Sequence, residues 1–179
     1  SNNYRGGVVA ARHLLESGHR RLGVILHRSD VTNLLQRLEG FCDEAKEHGS
    51  GTTVVVHQAP SPVEGEDLVA FARELITSHP ELTGLFALTH GSSMATLLAL
   101  QQLGIDVPGR MSLIGYDHLE VSTHPELTTV DQSISEMADA ACQLVRRRLN
   151  GDSDPVLHQM SQSELHVRAS TQRLIASGS

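Results

Sequence analysis

His27, His90 and His118 each follow a short apolar run, and three imidazoles that converge can ligate zinc or another borderline metal. No HExxH pair or other short-spaced histidine set accompanies them, so ligand hydrogen bonding or exposed loop positions is the better reading, and no metal is expected. Catalysis fares no better. Asp117 beside His118 or His90 can be drawn as an acid–base pair, but no spacing places a nucleophile next to them. The chain has no GxSxG elbow, no phosphate-binding P-loop and no GxGxxG after a strand; Gly6-Gly7 precedes a helix and follows no strand. Arg146-Arg147-Arg148 fits a helix C-terminus that complements the macrodipole. What remains is chemistry that binds without reacting: the guanidinium of Arg37, the carboxylate of Asp117, the hydroxyls of Thr89 and Ser92, and the amides of Asn33 and Gln132. Such a mixture suits a small polyhydroxylated or heteroaromatic ligand oriented by a few polar groups. Each residue alone reads equally well as a solvated loop or cap; the set carries more than its members. Neither an enzyme nor a cofactor is expected.

Those residues matter only if the chain gathers them, and the pattern around them says how. Short apolar runs at 22–26, 53–56, 84–88 and 111–114 have the near-continuous character of strands buried on both faces. Helical spacing lies between them. Leu34, Leu38, Phe41, Cys42 and Ala45 form one stripe, closed by Gly49. Leu68, Phe71, Ala72, Leu75 and Ile76 form the next, stopped at His79-Pro80. Met94, Leu97, Leu98 and Ala99 form a third, capped by Ser92 or Ser93 and closed by Gly104. Strand–helix alternation predicts right-handed βαβ units, hence an α/β fold with a doubly wound parallel sheet. Ligands bind beyond the carboxyl ends of such strands. That rule selects 27–33, 58–63, 89–93 and 116–118, with Gln132 added if 128–131 is extended. The ends read differently. Residues 4–17 predict a helix with Val8, Ala11, Leu14 and Leu15 inward; 134–149 predict another with Ile134, Ala138, Ala141, Val145 and Leu149 on one face. Both are expected to cover a second, incompletely represented lobe. Runs at 156–160 and 165–167 look β-like, and the tail from 174 is expected to fray.

Composition removes several classes. Hydrophobic residues are 39% and charged residues 20%, ordinary for a globular chain. A net charge of -7 has the wrong sign for gripping phosphates across the surface, and 3% aromatics without Trp argues against stacking on single strands. No apolar run reaches the ~20 residues of a membrane span, and the polar opening residues do not form a secretory leader, so a cytoplasmic protein with no membrane partner is expected. Cys42 and Cys142 lie far apart without a partner motif, which points away from a disulfide framework. The chain starts at Ser1 without Met and enters a helix at once, as a fragment of a longer protein would.

Several strings carry a more specific signal: Asn3-Tyr4-Arg5-Gly6-Gly7, His13 through Ile25, Arg37-Leu38-Glu39-Gly40-Phe41, Leu103 through Pro108, Ser112 through Asp117, Pro125 through Gln132, and Val167 through Thr171. In this order and spacing they closely resemble the LacI/GalR family of bacterial transcriptional repressors. The resemblance implies a periplasmic-binding-protein-like fold of type I: two α/β lobes joined by crossover segments, with a small effector in the cleft. It also implies a helix-turn-helix headpiece that reads operator DNA as a homodimer, and that headpiece and most of the first lobe have no counterpart in these residues. By that reading, 22–131 plus 163–171 form the effector-binding lobe, 1–21 and 132–162 are pieces of the other lobe, and 172–179 is a tail. The family's effector-clamping arginine falls at Arg37, its aspartate after the Gly-Tyr strand end at Asp117, and Gln132 lies in a crossover beside the cleft. Departures occur where the family reads Ala-Asn-Asp and this chain has Leu88-Thr89-His90, where a second aspartate becomes His118, and where Asn2 replaces an aspartate. The expected ligand residues are therefore Asn33, Arg37, Thr89, His90, Asp117, His118 and Gln132, with effector identity open. A periplasmic solute-binding protein shares the fold; Gly18-His19-Arg20-Arg21 and Thr128-Thr129-Val130 favour the regulator.

Overall fold

Strands β1 (Arg21–Leu26), β2 (Thr53–Gln58), β3 (Gly84–Ala87), β4 (Ser112–Tyr116), β5 (Thr128–Asp131) and β6 (Glu164–His166) form one sheet in the order β2-β1-β3-β4-β5-β6. The computed structural model describes residues 2–48, 51–117, 126–151 and 161–174. β1 to β5 pair in parallel, and β6 joins β5 antiparallel. The chain steps outward from β1 to β2 and then back across β1 to β3, so strand order reverses between β1 and β3. Helices diverge from such a switch point and leave a crevice at the carboxyl ends of those two strands.

Helices α1 (Asn3–Glu16) and α2 (Thr32–Glu47) belong to one face, α3 (Glu66–Ser78) and α4 (His90–Gln102) to the other. Successive strand residues point to opposite faces, so each central strand feeds both cores. Leu22, Val24, Leu26 and Phe86 pack with Leu14, Leu15 and Phe41, whereas Ile25, Leu85 and Leu113 pack with Leu75, Leu100 and Met111. This double burial, worth about 1.5–3 kcal/mol per large apolar side chain, explains the continuous apolar runs. β2 is the exception. As the sheet's edge it keeps Val54, Val55 and Val56 only partly covered, so the expectation of two buried faces does not hold there.

Two more expectations need correction. α4 buries Ser92, Ser93, Ala95, Thr96, Ala99 and Leu100, while Leu98 is exposed and Met94 and Leu97 are half-buried. The helix starts earlier than the serines because Thr89 caps it, in a capping box with Ser92. The Ser93 hydroxyl donates to the Thr89 carbonyl (2.7 Å) and the Thr96 hydroxyl to the Ser92 carbonyl (2.6 Å). Hydroxyls satisfied by their own helix bury as small residues, which lets α4 lie close on Gly115 of β4. The second correction concerns α1. Its Ala10, Ala11, Leu14 and Leu15 sit fully in the core shared with β1 and α2, not over a separate lobe. α1 and α2 meet backbone to backbone: a Cβ on Gly7 would come within 1.9 Å of the Arg37 carbonyl oxygen, and one on Gly40 within 2.0 Å of the Tyr4 carbonyl oxygen. Arg12 reinforces the crossing with a two-pronged ion pair to Glu44 (2.8 and 3.1 Å), which holds the Glu44 carboxyl below its usual pKa.

α5 (Ile134–Leu149) differs from the other helices in having no buried residue, and its Ile134, Val145 and Leu149 are exposed. The chain leaves the sheet at Gln132-Ser133, runs into α5, and comes back beside that exit at 161–163. There the Ser133 hydroxyl donates to the Gln162 carbonyl (3.1 Å), the Ser161 hydroxyl to the Gln132 carbonyl (3.0 Å) and the Asn2 N–H to the Ser161 carbonyl (3.1 Å). The start of the tail is held, Leu174 included although fraying was expected from there: the Leu174 N–H donates to the Ser17 carbonyl (2.8 Å) and the Gln172 N–H to the Ser112 hydroxyl (3.2 Å). The runs at 156–160 and 175–179, together with Gly49, lie outside the described residues. Among the described residues no helix is long and apolar enough to cross a membrane.

Candidate functional site

Among the described residues Arg37 is the largest fully buried side chain, 2% exposed. It sits in the second turn of α2, where the Gly7 and Gly40 contacts bring α1 close. Its Nε donates to the Asn3 side-chain oxygen (3.0 Å), its Nη1 donates to the Leu88 carbonyl (2.6 Å), and its guanidinium lies 3.5 Å above the centroid of the Tyr116 ring. Burial pulls its pKa below the ordinary arginine value, with Tyr116 and Asp117 opposing that shift. A guanidinium retains its charge under such conditions, and here two hydrogen bonds and an aromatic face hold it still.

Asp117 follows β4 directly. Its φ of +70° is in the left-handed region, which costs a non-glycine residue energy and is seen mostly at turns and sites; Asp tolerates it better than most. Its N–H donates to the Val130 carbonyl (3.0 Å), and its carboxylate accepts from the Gln132 amide. The carboxylate is thereby turned toward the end of β5 and fixed in orientation.

These groups share a recess of about 470 Å³ at the carboxyl ends of β1, β3 and β4, within the range of small-molecule sites. Asn33, Arg37, Thr89, Asp117 and Gln132 line it together with His27, Arg28 and Glu64, while Val31, Leu34, Val63 and Leu68 supply its apolar wall. Five of the seven residues expected from the sequence thus converge. His90 does not line the recess, because one residue past the cap the helix has turned by about 100° from the direction of Thr89. His118 lies outside the described residues. Arg28 and Tyr116 fell within the selected segments 27–33 and 116–118 but were not singled out as ligand residues, and Glu64 and Leu68 lay beyond 58–63. Asn3 and Tyr116 hold Arg37 from behind, a role with no local signal because they reach it from another helix and another strand.

The groups present can orient a ligand by accepting from its hydroxyls (Asp117, Asn33) and donating to its oxygens (Arg37, Thr89, Gln132). A second groove of similar size, about 490 Å³, runs along α4 between Met94, Leu97, Leu98 and Val107. It is mostly apolar and lacks a convergent polar set. Among the described residues no three His, Cys, Asp or Glu side chains gather as metal ligands.

An α/β lobe with helix-capped strand ends opening on a polar recess defines a class of small-molecule-binding domain. The chain belongs to the periplasmic binding protein-like domain family, which matches residues 11–171, and it has the form found in the effector-binding domains of LacI/GalR-type regulators. It is 29% identical over 180 residues to the HTH-type transcriptional repressor PurR of Haemophilus influenzae, covering 97% of this chain and 53% of the relative. The crystal structure of a LacI-family transcriptional regulatory protein from Corynebacterium glutamicum superposes with a TM-score of 0.85 at 25% identity, covering 97% of this chain and 66% of that one. A LacI family regulator from Enterococcus faecalis, solved with bound ribose, gives 0.79 at 26% identity, covering 98% and 63%. The chain spans about half the length of the curated relatives it matches.

Proposed function

We propose that this chain is the ligand-sensing part of a cytoplasmic transcription regulator, taking a small, polar, sugar-like effector in the recess. The observation that supports this most is convergence: Asn33 and Arg37 on α2, Thr89 at the cap of α4, Asp117 after β4 and Gln132 after β5 all border one hollow. A regulator solved with bound ribose shares this fold, and hydroxyl recognition is what these side chains offer. The rest of such a protein supplies a second lobe and a DNA-binding headpiece. In this reading 22–131 and 163–171, together with α1, form the effector lobe, and the uncovered face of α5 packs into the other lobe. Effector binding then stabilises one arrangement of the lobes and shifts a homodimer between operator-binding and non-binding states. The relatives are repressors and regulators, which favours this reading over a periplasmic solute carrier of the same fold. The role is binding, without a reaction.

Titration calorimetry of the intact protein with ribose tests the site. Binding in the wild type and a loss of about tenfold or more in Asp117→Asn and in Asn33→Ala are expected, the size of one lost charged or neutral hydrogen bond to a ligand. Equal affinity in all three proteins contradicts it.

A further inference from the structure

Tyr116 closes β4, is fully buried and does not border the recess. Its ring lies under the Arg37 guanidinium and against Phe86, two contacts that a phenylalanine would make equally well. The hydroxyl is an added cost, because a buried phenol O–H is unfavourable unless it is bonded. It stands 3.5 Å from the Ser163 hydroxyl oxygen and against the start of α1, where a Cβ on Gly6 would collide with it. Ser163 is itself 1% exposed and gives its proton to the Asn2 carbonyl (3.0 Å), so the tyrosine is the donor of the pair. Two hydrogen bonds thus run in line from Tyr116 through Ser163 to Asn2, each polarising the next. Burial pushes the Tyr116 pKa up, while Ser163 and Arg37 pull it back, so both neighbours act on the same oxygen.

Residues 2–3, 132–133 and 161–163 meet at one corner, where the chain passes out to α5 and back, and the Ser133, Ser161 and Asn2 bonds lace them together. Each segment is also tied to a side chain at the recess. Asn3 accepts from Arg37 (3.0 Å), Gln132 donates to Asp117, and Ser163 accepts from the tyrosine on which Arg37 rests. Arg37 and Asp117 border the recess and can meet a ligand directly. Tyr116 reaches a ligand only through Arg37.

We infer that Tyr116 is a positioning residue whose hydroxyl couples Arg37 to the 161–163 segment through Ser163, so that the state of the recess is felt where the chain passes to and from α5. What occupies the recess rests on the ligand-binding reading; the tie itself needs no ligand. A ligand oxygen that takes up the guanidinium shifts its plane over the tyrosine ring. The far end of that ring is held by Ser163 and by the close approach of Gly6. The shift therefore passes to the segment and is not absorbed by a turning side chain. Tyr116→Phe keeps the platform beneath Arg37 and removes the pin.

Hydrogen–deuterium exchange of the intact protein tests the tie first without a ligand. Tyr116→Phe and Ser163→Ala should each speed exchange across 161–166 by about fivefold, the worth of one buried hydrogen bond. The double variant should do no more than either alone, because both break one contact. Arg37→Lys should speed the same segment in the wild type and add no more than about twofold to Tyr116→Phe. β1 and β3 should change less, which separates the tie from a general loss of stability. Equal increments from Arg37→Lys in both backgrounds, a double variant that multiplies the two effects, or the same factor in β1 and β3 overturns the inference. Ribose then adds the site. It should protect 161–166 in the wild type but not in Tyr116→Phe or Ser163→Ala, while their ribose affinity by titration calorimetry stays within about threefold of the wild type. A tenfold loss of affinity in Tyr116→Phe makes the hydroxyl part of ligand binding itself and overturns the assignment. Ribose protection of 27–37 and 89–93 that leaves 161–166 unchanged in the wild type also overturns it, with the sugar-sensing reading intact. If ribose fails to bind, the sugar reading loses support and the unliganded variants still decide the tie.

Discussion

The two ends of the sheet use the same polar vocabulary and treat it differently. At the amino end His19 is 1% exposed and fully engaged: its Nε2 donates to the Gln172 carbonyl (3.1 Å), leaving Nδ1 beside the Thr83 hydroxyl (3.0 Å). Ser170 and Ser112 likewise close on the Leu113 carbonyl and the Gln172 N–H. At the carboxyl end His27 is nearly as buried, but its Nδ1 is unpaired, Asp117 sits at a strained φ, and a hollow separates the side chains. Saturated hydrogen bonds make the amino end a clasp that holds 170–174 in place. Unspent capacity suits the carboxyl end to the proposed site. Residue type alone does not separate the two; satisfaction does.

Changes to the frame beneath the site should have the largest effect. Gly7→Ala drives a methyl into the Arg37 backbone, so urea unfolding should show a loss of about 3 kcal/mol or more, as for overpacking that a backbone cannot relieve. A smaller loss, of roughly 2 kcal/mol, is expected for His19→Ala, because a buried polar network loses its hub. Ligand affinity should remain that of the wild type, and a large change in affinity would blur the contrast between the ends. His27→Leu should stay within about 1 kcal/mol of the wild type, since it removes an unpaired buried nitrogen and not a made bond. A loss as large as that of His19→Ala would mean that His27 too is structural.

Acid should act through the same histidines. Burial lowers the pKa of His13, His19 and His27 in the folded protein, while histidines of the unfolded chain titrate near their ordinary value of about 6.5. Below about pH 6.5 the unfolded state then binds more protons than the native one, so stability is retained above that pH and falls as the pH drops. Chemical denaturation from pH 8 to pH 5 should show the decline, shallower in His19→Ala. A flat profile would remove the buried histidines from the account.

Much of this layout was legible in the chain. β1, β3 and β4 announced themselves because strands feeding two cores must be apolar at every position, and the strand-end rule then gathered Asn33, Thr89, Asp117 and Gln132, with Arg37 added from one turn further into its helix and from the family resemblance. The rest depended on long-range contacts. Val54 to Val56 read as buried because a valine run does not record whether a strand has a neighbour on each side. The buried face of α4 was misjudged because Ser93 and Thr96 hide their hydroxyls against their own helix. α1 had a clear inward stripe, but periodicity identifies a face without identifying the sheet it meets. Asn3 and Tyr116 could not be tied to Arg37 for the same reason.

The most direct test of the central claim, that the carboxyl end binds and the amino end only holds, is hydrogen–deuterium exchange of the intact protein with and without ribose. The account predicts added protection across 27–37, 89–93 and 117, with no change around His19, Thr83 and Gln172. Protection confined to the amino end, or to the α4 groove lined by Leu97 and Leu98, would contradict it.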